Sequence, residues 1–355
     1  MEKVTAINLV NLEPFMITWD IGRRCNFDCT YCDSTRHNTY SPPTEYSSLL
    51  KTFDFIKKYV EIYKFSDVNM SFTGGEPTVN PKFWNLVEYI KENSNYGVGL
   101  TTNGTWHPKH TDFILKNCNG VTISWHAEAD VQLRERAIKN AIELHKSGIW
   151  LSVNVMLHTN FWNESVDAYE RLKSEGINAM PTPLGDGSID RAEWFKDSEG
   201  TWRRTGHKYK PEQYEWFWKE KNISTENAKK ILSGASLGRS CCGGRCLTGK
   251  LESWKPVTHV DNHFKNWYCS VNYYFLHIEE HTRNIYHHQT CKATFTGKGT
   301  IGHLDDTDTL LSKTKEYLKN PKPIVCPNTR CGCGMCVPKA KEWKDFEPIW
   351  NSFNQ

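Results

Sequence analysis

The sequence has no long apolar run and no strong excess of charge of one sign. A membrane-spanning helix needs roughly 18 or more apolar residues in succession, and no stretch of the chain approaches that length. The residues after Met1 also lead into no apolar segment of the signal-peptide type. We therefore expect a cytoplasmic protein with no membrane partner, located in the host cytoplasm if the chain is viral.

The charge balance is close to even. Lysine and arginine number 44 against 41 aspartate and glutamate, which gives a formal net charge of +3. Such a mild excess neither requires nor excludes a nucleic-acid partner. With 355 residues, the chain is long enough for one large domain with an appendage or for two moderate domains.

Cysteine, by contrast, is abundant for a cytoplasmic protein. Of 13 cysteines, three lie near the beginning, Cys118 stands alone, and the rest follow from Cys241 onward. A disulfide-rich secreted domain would normally be shorter and would follow a signal peptide. The clustering therefore favours metal binding.

The first cysteine cluster is Cys25, Cys29 and Cys32, with the spacing C-x3-C-x2-C. A short loop can turn three thiols toward one centre. A structural zinc site needs four protein ligands, whereas a cubane iron-sulfur cluster held by three thiolates keeps one iron open. The alternatives are a zinc knuckle that uses His37 as its fourth ligand, or a set of unligated thiols.

A second motif, Gly74-Gly75-Glu76-Pro77, follows an apolar strand-like run at residues 68–72. Adjacent glycines let a backbone approach a ligand closely, because no Cβ blocks the way. In parallel α/β folds, ligands bind at the carboxyl ends of the strands. An ordinary turn is the alternative interpretation.

From residue 15 to about residue 185, apolar strand-like runs alternate with helical patterns, which is typical of βα units and a parallel sheet. The predicted strands cover residues 15–21, 68–72, 98–102, 121–125, 151–156 and 178–184. Helical spacing of apolar residues predicts amphipathic helices around residues 49–60, 83–90, 137–142 and 166–172. Glycines at 148 and 176 are expected to end two of these helices.

Together the two motifs resemble the radical S-adenosylmethionine (radical SAM) superfamily, which has an aromatic residue, here Tyr31, before the last cysteine of its loop. The resemblance implies an α/β fold with a partial (βα)6 barrel and a [4Fe-4S] cluster on Cys25, Cys29 and Cys32. It further implies S-adenosylmethionine as cofactor. The cofactor-binding residues that it implies are Tyr31, Gly74, Gly75, Glu76, Pro77, Ser124 and Asn154. For Ser124 and Asn154, a strand residue bonding locally is an equal alternative.

The implied chemistry is reductive cleavage of S-adenosylmethionine to a 5'-deoxyadenosyl radical, which removes hydrogen from a substrate carbon. Such an enzyme needs an external one-electron reductant of the flavodoxin or ferredoxin type. No catalytic residue beyond the cofactor ligands is assigned. Whether the enzyme is an isomerase, an oxidoreductase or a transferase stays open.

Residues 191–235 mix tryptophans, including Trp194, Trp202, Trp216 and Trp218, with basic residues. This mixture suits stacking on a nucleic-acid strand, or a connector whose tryptophans pack on the barrel. We expect a barrel over residues 1–190, a connector over 191–235 and a smaller Cys-rich domain over 236–355.

The Cys-rich region contains an alternating segment between Cys269 and Cys291 that predicts a β-hairpin. It resembles the SPASM or twitch extensions of radical enzymes, which implies one or two auxiliary iron-sulfur clusters. The hairpin is longer than in SPASM, lacks an expected glycine, and precedes a divergent C-x4-C-x-C-x2-C spacing. A zinc site is the alternative. The candidate ligands are Cys242, Cys246, Cys269, Cys291, Cys326, Cys331, Cys333 and Cys336.

The predicted function is modification or rearrangement of a macromolecule-linked substrate, either a peptide or a modified nucleobase. One alternative is a phage-type isomerase that acts on hypermodified thymidine in DNA. The other is a non-enzymatic zinc-binding module.

Overall fold

The structure is a computed structural model. It describes residues 6–7, 14–32, 37–184, 194–196, 202–204, 209–220, 247–248, 255–256, 264–288, 291, 293–328 and 337–353. The chain divides into two compact units. Unit 1 comprises Met1–Asp20, Tyr46–Met70 and Leu237–Gln355, and unit 2 comprises Ile21–Glu45 and Ser71–Ser236. The predicted domain boundaries near residues 190 and 235 stay a prediction.

The described helices alternate with strands through most of the chain. They are α1 (Tyr46–Tyr63), α2 (Phe83–Asn93), α3 (Thr111–Asn117), α4 (Val131–Lys146), α5 (Trp162–Ser174), α6 (Pro211–Glu220), α7 (Thr307–Lys319) and α8 (Trp343–Phe353). None of these helices is long and apolar enough to cross a membrane.

The described strands fall into three sheets. They are β1 (Ala6–Ile7), β2 (Phe15–Asp20), β3 (Val68–Thr73), β4 (Gly97–Thr102), β5 (Gly120–His126), β6 (Trp150–Leu157), β7 (Ala179–Pro183), β8 (Trp194–Lys196), β9 (Trp202–Arg204), β10 (Leu247–Thr248), β11 (Lys255–Pro256), β12 (Tyr268–Cys269), β13 (Phe275–Glu279), β14 (Asn284–Tyr286), β15 (Gly302–His303), β16 (Ile324–Val325) and β17 (Lys339–Ala340).

The largest sheet has the strand order β15-β14-β13-β2-β3-β4-β5-β6-β7. Strands β2 to β7 are its parallel core of six strands, and they correspond to the six predicted strands. The α/β class and the partial-barrel architecture are therefore confirmed. The boundary between the two units falls within β3.

In unit 2, strands β4 to β7 pair in parallel, and each of the helices α4 and α5 links two successive strands. Helix α4 begins where the Asp130 side chain accepts a hydrogen bond from the Gln132 N–H (2.8 Å), which satisfies a backbone donor of the first turn. Gly148 follows this helix with φ 75°, and Gly176 follows α5 with φ 77°. Both predicted helix ends are thus present, because glycine adopts the left-handed conformation without strain.

In unit 1, β13 pairs in parallel with β2, in a register that sets Leu276 opposite Ile17. Strand β14 returns antiparallel to β13, with Ile278 opposite Ile285, so the predicted hairpin is confirmed. The sequence indicated the hairpin but not its partner, and its first strand extends the sheet at β2.

The second sheet, also in unit 1, is antiparallel and has the order β11-β10-β1-β17-β12-β16. An aromatic-rich core covers it, in which Tyr273 stacks on Phe353 with centroids 4.5 Å apart. Helix α8 presents Phe346 and Trp350 to this core. This core supports the strands that carry the later cysteines.

The tryptophan-rich connector is described in part. Trp216 of α6 packs edge to face on Trp162 and Tyr169 of α5, with centroids 5.5 Å apart in both pairs. This packing is what the connector interpretation predicts for Trp216. The side chains of Trp194, Trp202 and Trp218 lie outside the described part of the structure.

Candidate active site

The loop that carries Cys25, Cys29 and Cys32 follows β2 and is mostly irregular. The Cys32 N–H donates to the Cys29 carbonyl (3.0 Å), and the Asn38 N–H donates to the Arg23 carbonyl (2.8 Å). These bonds turn the chain back on itself. The three thiols are partly exposed, and none of the described cysteines forms a disulfide. We call residues 22–38 the cluster loop.

Burial raises the pKa of the Cys25 thiol to about 12, and the negative charges of Glu76 and Cys32 add to the shift. Burial also raises the pKa of Cys29, with additions from Glu128 and Cys32. The three sulfurs are therefore near enough to repel one another as thiolates. Such a donor set is stabilised by a cationic centre, and three thiolates fit a cubane iron-sulfur cluster with one open iron.

His37 is the residue that a zinc site would use as its fourth ligand. Its Nε2 instead lies 2.5 Å from the Phe27 carbonyl oxygen and 3.7 Å from the Asp28 carboxylate. Within the described ranges, no group of three or more His, Cys, Asp or Glu residues is placed to hold a single metal ion.

The Gly74-Gly75-Glu76-Pro77 turn lies against the backbone that precedes Cys25. The Gly75 N–H donates to the Gly22 carbonyl and the Glu76 N–H to the Arg24 carbonyl, both at 2.8 Å. A Cβ on Gly75 would lie 2.2 Å from the Arg24 carbonyl oxygen. Gly74 has φ 125°, which favours glycine. The two sequence motifs are thus joined backbone to backbone.

The Glu76 carboxylate is buried and accepts hydrogen bonds from within the protein. Its donors are the Thr78 N–H (3.1 Å) and hydroxyl (2.6 Å), the Thr102 hydroxyl (2.7 Å) and the Asn103 N–H (2.6 Å). Burial raises its pKa, although these donors act in the opposite direction. The carboxylate therefore ties the turn to the end of β4. Binding of a cofactor by Gly74, Gly75, Glu76 and Pro77 stays a prediction.

Two asparagines tie the cluster loop to the end of β4, and sequence reasoning missed this contact. The Asn103 side-chain amide donates to the Asn26 amide oxygen (2.7 Å), and the Asn26 amide donates to the Thr105 hydroxyl (3.0 Å). Asn140 of α4 holds the following turn by donating to the Gly104 carbonyl (2.8 Å). The turn dipeptide Asn103-Gly104 can be read in the sequence, but its partner Asn26 carries no separate signal.

Glu128 ties the cluster loop to the end of β5. Its carboxylate accepts hydrogen bonds from the Thr30 N–H (2.8 Å), the Thr30 hydroxyl (2.6 Å) and His158 Nε2 (2.9 Å). Burial acts to raise its pKa, but these donors outweigh burial and lower it. Glu128 is therefore an anion bonded on both oxygens to the protein.

Tyr31, the aromatic residue of the motif, is held by two histidines. Its hydroxyl lies 2.5 Å from His126 Nδ1, and its ring stacks on the His126 ring with centroids 5.9 Å apart. Burial lowers the pKa of His126 to about 4, and burial and the Cys29 charge raise the pKa of Tyr31. The Tyr31 hydroxyl also forms a hydrogen bond with the Cys29 side chain. The Tyr31 ring also tilts against His158, at 5.9 Å.

Ser124 and Asn154 lie directly opposite each other on β5 and β6. Each is partly exposed between buried neighbours, so their side chains share the more open face of the sheet. Neither side chain forms a hydrogen bond within the described residues, so the alternative of local bonding is not observed for either. Their role as cofactor contacts stays a prediction.

Three of the later cysteines come together in unit 1. Cys269, Cys291 and Cys326 line one narrow cavity together with Lys339. All three are buried, and Lys339 is only 1% exposed. Cys242, Cys246, Cys331, Cys333 and Cys336 lie outside the described residues. The assignment of auxiliary ligands stays a prediction.

Comparisons with known proteins agree with this geometry. The model of the Radical SAM superfamily matches residues 19–191. The chain is 34% identical over 91 residues to the "Mycofactocin maturase MftC" of Mycobacterium ulcerans (strain Agy99), covering 26% of this chain and 23% of the maturase. It is 22% identical over 192 residues to the "S-adenosylmethionine-dependent nucleotide dehydratase" of Fibrobacter sp. (strain UWH6), covering 46% of this chain and 54% of the dehydratase.

Among solved structures, the chain is similar to "Native anSMEcpe with bound AdoMet", with a TM-score of 0.51 and 16% identity, covering 96% of this chain and 100% of that one. The same protein with "AdoMet and Kp18Cys peptide" gives a TM-score of 0.50. At this identity the likeness shows the fold alone. The chain matches less than two thirds of the length of either curated relative.

Proposed function

This chain belongs to the radical SAM superfamily, and from that premise we propose that it abstracts hydrogen from a peptide substrate. The superfamily uses a [4Fe-4S] cluster and S-adenosylmethionine, so both predicted cofactors are confirmed at this level. The observation that carries the proposal is the cluster loop, in which three partly exposed thiols are held by the glycine turn and by polar residues at the ends of β4 and β5.

When bound, the cluster and S-adenosylmethionine would supply one-electron cleavage of a carbon–sulfur bond and a 5'-deoxyadenosyl radical. Cys25, Cys29 and Cys32 would hold the cluster. Ser124 and Asn154 offer a hydroxyl and an amide on the open face of the sheet, suited to hydrogen bonds with a ribose or a carboxylate. The remaining residues of the site keep these groups in fixed positions, which is the protein's main role in cofactor chemistry.

A peptide substrate is supported by the maturase among the curated relatives, because maturase homologues act on peptide substrates. A nucleotide-derived substrate is the second candidate. It is supported by the dehydratase, whose match of 192 residues is longer than that of the maturase. An external one-electron reductant is part of either proposal.

The buried cysteines of unit 1 support an auxiliary cluster. Cys269, Cys291 and Cys326 meet at one cavity, although Cys269 and Cys326 are far apart in sequence. Three thiols that line one cavity without being placed to hold a single metal ion suit the larger iron-sulfur cluster. We assign these residues as ligands of one auxiliary cluster.

The test is iron, zinc and acid-labile sulfide per chain on anaerobically purified protein. The wild type is compared with a Cys25→Ala, Cys29→Ala, Cys32→Ala triple variant, and Cys118→Ala serves as a control for loss of a buried cysteine outside both sets. We expect the triple variant to lose one cluster and all formation of 5'-deoxyadenosine. Cys118→Ala keeps both.

Two outcomes would overturn the proposal. Zinc without iron in the wild type would favour the binding-module interpretation. Cleavage of S-adenosylmethionine that survives in the triple variant would show that the cluster loop is not its site. Formation of 5'-deoxyadenosine coupled to product, tested with peptide and nucleotide libraries, then separates the two substrate classes.

A further inference from the structure

We propose that Glu128 is a positioning residue of the cluster loop, which fixes Thr30 and Tyr31 so that S-adenosylmethionine binds, and that His158 acts through it. The inference rests on the proposed function. It concerns a residue whose one signal in the sequence is its place just after the predicted strand at residues 121–125. The structure gives the Glu128 carboxylate a different task.

Thr30 lies between Cys29 and Tyr31, and it is exposed. Packing therefore does not hold this residue in place. Glu128 does so, since one carboxylate oxygen accepts the Thr30 N–H at 2.8 Å and the other accepts the Thr30 hydroxyl at 2.6 Å. Two charge-assisted hydrogen bonds to one residue fix both its backbone and its side chain.

His158 in turn fixes Glu128. It is 2% exposed, and its Nδ1 accepts a hydrogen bond from the Asn160 N–H at 3.1 Å. The proton of the neutral ring therefore lies on Nε2, which donates to Glu128 Oε1 at 2.9 Å. The backbone N–H of His158 donates to the Ser165 hydroxyl in α5 (3.3 Å), so the histidine is anchored to a helix.

The consequence falls on Tyr31, the next residue along the chain. Its ring contacts the rings of both His126 and His158, each with a centroid distance of 5.9 Å. Loss of the Thr30 anchor would release the backbone on one side of this ring while leaving the three thiols in the chain. We therefore expect cofactor binding to suffer before cluster binding does.

Three of the roughly four acceptor sites of the Glu128 carboxylate are engaged within the protein, two by Thr30 and one by His158. Glutamine in its place keeps the size but lacks one acceptor and presents N–H groups where Thr30 and His158 donate. The substitution Glu128→Gln thus disrupts the hydrogen bonds from Thr30 and His158 with little change in side-chain volume.

The test uses anaerobically reconstituted full-length protein and S-adenosylmethionine itself as the probe. The equilibrium dissociation constant is measured, together with the change that the cofactor produces in the electron paramagnetic resonance spectrum of the reduced protein. We expect Glu128→Gln to keep the wild-type iron content and thermal midpoint while weakening cofactor binding at least about tenfold. The matched control is Glu135→Gln, which removes only an exposed pair with Arg171.

His158 provides the second arm. His158→Gln keeps a side-chain N–H that can donate to Glu128, whereas His158→Leu does not. We expect the first to bind S-adenosylmethionine close to the wild-type level and the second to resemble Glu128→Gln. A residue with a merely structural role would lower the thermal midpoint in both variants alike.

The inference is wrong if Glu128→Gln binds S-adenosylmethionine as the wild type does, or if the variant loses iron from the cluster loop. It is also wrong if His158→Gln and His158→Leu are equally impaired. A wild-type protein that binds no S-adenosylmethionine at all would instead defeat the proposed function, so the two failures are distinguishable.

Discussion

The two sets of thiols lie in opposite surroundings. Those of the cluster loop are partly exposed on irregular chain, and polar side chains such as Asn26 and Thr30 hold that chain in place. Those at Cys269, Cys291 and Cys326 are buried within an antiparallel sheet and its aromatic core. A site that exchanges a ligand needs access, whereas a site that only stores or passes electrons does not. The difference therefore favours cofactor binding at the first set and electron transfer at the second.

The two sets of thiols also differ in the charged side chains near them. Glu76 and Glu128 act on the thiols of the cluster loop and raise their pKa values. Lys339 instead lines the cavity of the later thiols, and its Nζ lies 4.8 Å from the centre of the Phe264 ring. Negative neighbours oppose the uptake of an electron, and a positive neighbour favours it. We expect a cluster in the loop to have the lower reduction potential.

The largest effect is expected when the three buried thiols of unit 1 are removed. In a Cys269→Ala, Cys291→Ala, Cys326→Ala triple variant, we expect one cluster fewer per chain and loss of coupled product, because iron-sulfur clusters are held by cysteine thiolates. Formation of 5'-deoxyadenosine should persist, since the cluster loop is intact. Iron, sulfide and 5'-deoxyadenosine are measured beside Cys118→Ala. A triple variant with full iron content would refute the assignment.

The next prediction disturbs the cluster loop through a glycine and leaves its three thiols in place. Gly75→Ala places a Cβ 2.2 Å from the Arg24 carbonyl oxygen and 2.5 Å from that of Arg23, so the backbone before Cys25 must move. We expect loss of most iron from the cluster loop. Gly297→Ala is the control, because its nearest neighbour, the Thr294 hydroxyl, lies 4.0 Å from the new Cβ. Equal iron in both variants would show that the two motifs are independent.

A smaller change sharpens the electrostatic difference. Lys339→Met keeps an unbranched side chain but removes the amino group. We therefore expect the reduction potential of the auxiliary cluster to fall by on the order of tens of millivolts. The potential of the cluster in the loop should stay where it is. Redox titration followed by electron paramagnetic resonance separates the two signals. A shift in neither would contradict the role given to Lys339.

The smallest effect concerns stability in acid. Burial lowers the pKa of His287 to about 3, and neither ring nitrogen has a partner within the described residues. The unfolded chain takes up a proton near pH 6.5 while the folded chain does not, so stability falls as the pH drops from about 6.5 toward 3, by up to about 1.4 kcal/mol per pH unit. His287→Met should flatten this slope.

The control for that prediction is His145→Met, because His145 is exposed on α4. Chemical denaturation at several pH values gives the slope for each variant. If His287→Met unfolds with the same pH dependence as the wild type, the buried histidine is not the source of the acid sensitivity.

Much of the fold could be predicted from local pattern. The six parallel strands and the helices α1, α2, α4 and α5 have clear apolar periodicity, and the two glycines after α4 and α5 mark where they end. Helix α3 was missed because Thr111–Asn117 is short and its apolar residues are consecutive rather than periodic. The two-residue strands of the second sheet have no periodicity at all, since their pairing is set by distant chain.

The candidate active site shows the same contrast between features set by local sequence and features set by distant contacts. Cysteine spacing and adjacent glycines are local signals, so Cys25, Cys29, Cys32 and the glycine turn could be named in advance. The residues that hold them were missed, since Asn26 meets Asn103 and Thr30 meets Glu128 only after the strands are assembled. The one usable signal is that His126 ends the buried strand β5 and Glu128 follows it two residues later.

Because of Gly75, we expect the cysteine loop and the glycine turn to be exchangeable between proteins only together. The backbone of Arg23 and Arg24 occupies the space that a Cβ on residue 75 would take. We therefore expect a chimera that receives the cysteine loop of another protein to need that protein's glycine turn as well. For the same reason, we expect an insertion before Cys25 to fold only together with a change at residues 74–76. The pair of motifs is one unit of exchange, although a helix and a strand separate its halves in the chain.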